Sequence, residues 1–188
     1  ASALVAEISG AGGAARAYRA DVANEDEVVD LFDTACGELG PLAGCVCNAG
    51  ITGGLSRVED VSAVVLHEVF AVNVTGAFIT AREAVRRLSV RHGGQGGSIV
   101  TVSSRAAQLG GSGEWVHYAA SKAALDALTI GLAKEVATEG IRVNAVAPGL
   151  IDTGLHAASG APDRLKRMQP FIPMGRAGTA EEVADAVA

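Results

Sequence analysis

Short apolar runs that end in small or polar residues, separated by much longer helical patterns, constrain this chain more than any other feature. Leu42–Asn48, Ser98–Ser104 and Ile141–Ala147 read as buried strands, and Ala17–Asp21 as a shorter one. Between them lie helices with recognisable ends. Ala3–Ser9 reads as a helix stopped by Gly10, Gly12 and Gly13. Asn24 caps a helix to about Glu38 that has acidic residues in its first turn. Ser62 opens a long helix through about Val90, Tyr118–Glu139 is a second long one, and Thr179-Ala-Glu-Glu caps a last short one. Strands alternating with helices predict crossover connections and a parallel sheet covered on both faces. Ligands of such sheets sit beyond the carboxyl ends of the strands. The segments to search for chemistry are therefore Asp21-Val22, Asn48-Ala-Gly, Ser103-Ser104 and Pro148-Gly149.

Composition agrees with one α/β domain over residues 1–188. The chain is 49% apolar but only 4% aromatic, and it has 24 glycines, so its core is built from small aliphatic side chains with close backbone approaches. A net charge of −6 without any Lys/Arg run argues against a nucleic-acid partner. No apolar segment is expected to reach the roughly 18–20 residues that span a bilayer, which argues against a membrane partner. No signal peptide is evident, although the chain opens without Met. Three cysteines suit a reducing compartment, hence the cytoplasm, and Cys45 and Cys47 read as small buried hydrophobes on one face of a strand. No metal site is expected.

Two glycine-rich stretches mimic phosphate loops. Gly10-Ala-Gly12-Gly-Ala-Ala15 matches a relaxed dinucleotide fingerprint, but such a loop works only between a strand and the helix whose N-terminus receives the phosphate. Here a helix precedes it and a strand is expected after it. Gly93-Gly-Gln-Gly-Gly97 fails for the same reason, because a strand follows.

Tyr118 and Lys122 lie at i and i+4, on one face of a predicted helix. A phenol near pKa 10 exchanges protons poorly at neutral pH, and a neighbouring ammonium is expected to lower it. Such a pair is an acid/base. Ser104 ends the preceding strand, placed to hydrogen-bond a substrate oxygen. Asn73 lies in an otherwise apolar helical stretch and needs partners if buried. It is either a core amide bridging to backbone or, the preferred reading, the anchor of an ordered water linking Lys122 to solvent.

At these residues the chain resembles the short-chain dehydrogenase/reductase family, in the subgroup similar to 3-oxoacyl-carrier-protein reductases and bacterial sugar or alcohol dehydrogenases. The resemblance rests on Asp21-Val22, Asn48-Ala-Gly50, Asn73-Val-Thr-Gly76, Ser98–Ser104, Tyr118-Ala-Ala-Ser-Lys122 and Ile141–Gly149. It implies a Rossmann-like fold and a NAD(P)-dependent oxidoreductase that moves hydride between nicotinamide and a secondary alcohol or ketone, NADP being slightly favoured. By that resemblance Tyr118 would be the acid/base, and Lys122 its modulator and a grip on the nicotinamide ribose. Ser104, preferred over Ser103, would polarise the substrate oxygen, and Asn73 would hold the relay water. Asp21 and Val22 would meet the adenine, and Asn48, Ala49 and Gly50 the adenosine ribose. Pro148, Gly149, Ile151 and Thr153 would frame the nicotinamide. Cys47 stands where relatives often carry Asn, which implies a small change in strand-end hydrogen bonding.

The resemblance also implies features that this sequence lacks: a first strand, a Gly-rich turn and helix, a second strand whose last residue selects NAD or NADP, and a final strand. A chain with that gap is expected to be part of a larger protein, with a catalytically silent scaffold subunit as the alternative reading. Residues 151–173, with His156, Arg164, Lys166, Arg167 and Met168, are expected to form an irregular lid over the substrate. Glu114, Trp115 and His117 are expected to add pocket wall or packing. The two long helices, 62–90 and 118–139, would by resemblance join subunits in a homodimer or homotetramer.

Overall fold

The computed structural model describes residues 1–188, and its centre is a three-stranded parallel sheet. Helix α1 (Ser2–Gly10) comes first and buries none of its residues. Helix α2 (Glu25–Leu39) begins where the Asn24 side chain accepts from Asp26 N at 3.1 Å, and it stops at Gly40, whose φ of 91° closes the turn into the sheet. Strand β1 (Gly44–Cys47) follows, then α3 (Ala63–Phe70), opened by Ser62 accepting from Val65 N at 3.3 Å. A π-helical turn over Ala71–Gly76 joins α3 without a break to α4 (Ala77–Leu88). Next come β2 (Gly97–Val102), α5 (Ala106–Leu109), α6 (Val116–Glu135) and β3 (Ile141–Val146). Three short helices complete the chain: α7 (Leu155–Ala158), α8 (Arg164–Met168) and α9 (Ala180–Val187). The last is started by the reciprocal Thr179–Glu182 capping box.

The sheet order is β1-β2-β3, with Cys45 opposite Ile99 and Ile99 opposite Val143. Side chains alternate along a strand, so Cys45, Cys47, Ile99, Ile141 and Val143 share one face. That face meets Val28 and Phe32 of α2, Ile79, Ala84 and Leu88 of α4, and Val136 after α6, in one buried cluster. The opposite face is packed by α9 against β3, while Val46 of β1 is 48% exposed. Helices on both faces were expected; here the layer is full on one face and partial on the other.

Three further expectations are corrected. Ala17–Asp21 is not a strand, because it lies beside α2 instead of a sheet edge: Tyr18 donates its hydroxyl to Glu38 Oε2 at 2.9 Å, and Arg16 reaches the same carboxylate at 3.5 Å. Residues 151–173 are not irregular but hold two short helices. The continuous helix Ala63–Leu88 is long and apolar enough to cross a membrane by those measures alone. Its Asn73 and Glu83 are nevertheless fully buried and hydrogen-bonded, as in the core helix of a folded domain. The cysteines are unpaired, and Cys47 is buried in the core cluster. Its hydrogen bond with Cys45, together with burial, pushes the Cys47 thiol up and keeps it protonated.

Candidate active site

The parallel register brings the ends of β1, β2 and β3 to one edge, and the chemistry-bearing residues gather there. The two serines after β2 take different directions. Ser103 is buried and donates its hydroxyl to Lys122 O at 3.2 Å, which ties the strand end to α6. Ser104 is only half-buried; its Oγ accepts from Ala106 N at 3.1 Å, and its hydroxyl meets the Tyr118 phenol. Tyr118 and Lys122 project from the first turns of α6, with Lys122 Nζ 5.7 Å from the centre of the Tyr118 ring.

Lys122 is 3% exposed, and its ammonium donates to Val102 O at 2.7 Å, leaving two N–H donors without a partner in the protein. Burial lowers its pKa to about 8, against the weaker pull of Asp126. Gly50 lies against this ammonium. A Cβ there would sit 3.2 Å from Lys122 Nζ and 3.4 Å from Asn73 Oδ1, so any side chain would crowd both.

One expectation about this cluster changes. Tyr118 was expected to be acidified by its lysine; instead burial raises the phenol, and the hydrogen bond with Ser104 and the charge of Arg164 only moderate that rise. The Asn73 amide bridges to backbone and to α6. Its Oδ1 accepts from Ile51 N at 2.8 Å, and its Nδ2 donates to Ile51 O at 2.8 Å and to Ser121 Oγ at 2.9 Å. These three bonds hold the β1 exit against α6. The π turn is what places this amide inward in the middle of a long helix.

The remaining expected cofactor residues divide. Asn48, Ala49 and Gly50 follow β1, and Pro148 and Gly149 follow β3, at the same edge as Ser104. Pro148 O accepts from Arg105 N at 2.9 Å and links two of these exits. Val22 reaches the edge from outside, packed so close to Gly76 that a Cβ there would lie 2.9 Å from Val22 O. Asp21 is exposed and accepts from Ala23 N at 2.9 Å, a local turn at the start of α2. Ile151 bridges to Gly178, and Thr153 accepts from Leu155 N at 3.4 Å just before α7.

The 151–173 segment packs beside this cluster, against the 114–117 residues expected to add pocket wall or packing. Trp115 and Tyr118 pack edge to face, with ring centres 6.1 Å apart, and Ala161 of the lid closes over them. His156 stacks on Trp115 from the other side, and the Arg164 guanidinium lies 4.2 Å above the Trp115 ring. Arg164 also donates to Glu114 Oε2 at 2.9 Å, and Arg167 reaches the same carboxylate. Thr52 donates to Ser159 Oγ at 2.7 Å, while its carbonyl accepts from His117 Nε2 at 2.8 Å. A surface cavity of about 560 Å³ lies among Asp152, Lys166, Arg176 and Glu182, and none of the acid/base residues lines it.

Comparison with known proteins agrees with this arrangement. A sequence model described as Enoyl-(Acyl carrier protein) reductase matches residues 1–188. An uncharacterized oxidoreductase of Escherichia coli (strain K12) is 49% identical over 180 residues, covering 96% of this chain and 73% of its own. A short-chain type dehydrogenase/reductase from Mycobacterium marinum superposes with a TM-score of 0.91 at 37% identity, over 98% of this chain and 71% of its own. A short-chain dehydrogenase from Burkholderia cenocepacia, solved in complex with NADP, gives 0.89 at 33% identity over 100% and 73% of the two chains. With its Rossmann-like sheet and its tyrosine, lysine and serine at one strand edge, the chain belongs to the short-chain dehydrogenase/reductase family of oxidoreductase enzymes.

Proposed function

We propose that this protein transfers hydride between a nicotinamide cofactor and a secondary alcohol or ketone, with Tyr118 as acid/base. The observation that carries this reading is the meeting of the Tyr118 phenol, the Ser104 hydroxyl and the buried Lys122 ammonium at the carboxyl edge of the sheet. The donor set fits a dinucleotide: Lys122 has two donors for ribose hydroxyls, and Asn48 to Gly50 and Pro148 to Gly149 offer flanking backbone. NADP is the favoured cofactor, as in the solved Burkholderia relative, with NAD as the other choice. When bound, the nicotinamide supplies the hydride donor or acceptor. The protein's residues do the rest. Ser104 donates its hydroxyl to the substrate oxygen and holds it beside Tyr118. Tyr118, kept protonated at neutral pH by burial, delivers its proton to that oxygen in reduction and takes it back in oxidation. Lys122 stabilises the phenolate that results. Asn73 fixes the strand exit on which Gly50 and the ammonium rest.

A silent scaffold is the weaker reading, because a buried ammonium with spare donors is costly to keep without a ligand. The exposed apolar residues Val64, Phe70, Phe78 and Ile130 on the two long helices support self-association as a dimer or tetramer. The unpaired thiols suit the cytoplasm.

Replacing Tyr118 with Phe tests the mechanism. NAD(P)H absorbance with an accepted ketone should change at least about 10²-fold more slowly in the variant. Turnover like that of the wild type would refute the role of Tyr118.

A further inference from the structure

Two buried polar side-chain atoms have no hydrogen-bond partner, Trp115 Nε1 and His156 Nδ1. Trp115 is 4% exposed and His156 7%, and their rings stack with centres 6.2 Å apart and planes 18° apart. An orphaned buried polar group carries an uncompensated desolvation cost, so two of them in one stacked pair beside Tyr118 call for an occupant.

The chemistry of that occupant follows from what each nitrogen offers. An indole Nε1 only donates. His156 Nε2 lies 3.2 Å from Ile151 O, and a carbonyl only accepts, so Nε2 carries the proton. Burial and the charge of Arg164 hold the ring neutral, which leaves Nδ1 as a bare acceptor. The pair therefore offers one donor and one acceptor. A hydroxyl group complements both, since it accepts and donates. A carboxylate satisfies the indole but repels the Nδ1 lone pair, and the nearest guanidinium, Arg164, is already committed to Glu114. A plain alkyl group satisfies neither. The two side chains belong to different parts of the molecule, His156 to helix α7 and Trp115 to the turn before α6, and meet beside Tyr118.

Building on the hydride-transfer reading, we infer that Trp115 and His156 form a subsite for a substrate hydroxyl other than the one that reacts at Tyr118. The preferred substrates are then hydroxyketones and diols, ahead of plain ketones and oxo acids.

The test compares matched four-carbon probes on the whole protein with NADPH and with NADH: 3-hydroxy-2-butanone, 2-butanone and 2-oxobutanoate. The hydroxyketone should exceed 2-butanone in kcat/KM by at least about tenfold. Trp115→Phe keeps an aromatic ring and loses the donor; His156→Phe keeps a ring and loses the acceptor together with the bond to Ile151 O. Each variant should lower kcat/KM for the hydroxyketone about tenfold more than for 2-butanone, with the melting temperature confirming a folded protein. Equal preference in the wild type, an equal loss on both probes in the variants, or a preference for 2-oxobutanoate would overturn the subsite. Trp115 is the only tryptophan, so its fluorescence is an independent readout. If none of the probes turns over, the hydride-transfer reading fails by itself. A fluorescence change with 2,3-butanediol but not 2-butanol then still supports the subsite, and its absence refutes it.

Discussion

Lys122 is the residue at which the site's chemistry and the fold's stability pull in opposite directions. Burial brings its ammonium down from 10.5 to about 8, so folding favours the neutral amine. Between about 8 and 10.5 the unfolded chain binds the proton more tightly, and stability rises with pH across that window. Below about 8 both states are protonated, and the full cost of burial, about 3 kcal/mol, is present. In Lys122→Met that rise should be missing. Urea unfolding of wild type and variant at pH 7.5 and pH 10 measures the difference, and an equal rise in both would show that another group is responsible. The pairing of Tyr118 with Lys122 was legible because i, i+4 spacing follows from helix geometry alone. The direction of the Tyr118 shift was not, because the lid and Trp115 bury the phenol, and they arrive from distant parts of the chain. Asn73 was legible as a buried amide in need of partners, whereas those partners, Ile51 and Ser121, come from other elements.

At the scale of elements, caps and glycine stops were readable because they are local: Asn24, Ser62 and Thr179 all cap where expected. The strand expected at Ala17–Asp21 failed because a strand exists only through its neighbours, and this segment has none. The loop Gly93–Gly97 was recognised as unsuited to phosphate, and the structure gives its actual task, a tight backbone passage from α4 into β2. Gly96 has φ +78°, and a Cβ there would lie 2.5 Å from Gly140 O, whereas Gly93, at φ +85°, faces open space. Gly96→Ala meets both left-handed strain and immovable backbone, so it should lose about 3 kcal/mol or more. Gly93→Ala meets strain alone and should lose about 1–2 kcal/mol. Chemical denaturation of the two variants checks this. Similar losses would mean that strain, not the approach to Gly140, governs the loop.

For the molecule as a whole, the outer helices must be held to a small sheet whose second face is only partly covered, and a buried charge contributes to that. Glu83 of α4 is 2% exposed. Its carboxylate accepts from Arg82 Nε at 3.0 Å, Arg86 at 2.7 Å and Arg87 at 2.8 Å. Arg82 continues to Glu25 at 2.8 Å, and Arg87 to Asp33, so the network pins α2 against α4 over the shared core. Burial alone raises the Glu83 pKa, but the hydrogen bonds from Arg87 and Arg82 outweigh it and leave the carboxyl below its ordinary value. A depressed carboxyl adds stability above its unfolded pKa, about 4.3, and that contribution is lost as pH falls through the lower folded value. Removing one partner of a buried ion pair costs about 3–5 kcal/mol. Here Arg82 and Arg86 are partly exposed and can turn to water, so Glu83→Gln should cost about 2–3 kcal/mol at pH 7. The wild type should then lose more stability than the variant on acidification below pH 4, and the two unfolding curves should draw together. Parallel curves across that range would place the pinning of α2 in the apolar cluster of Val28, Phe32, Ala84 and Leu88 instead of in the charges.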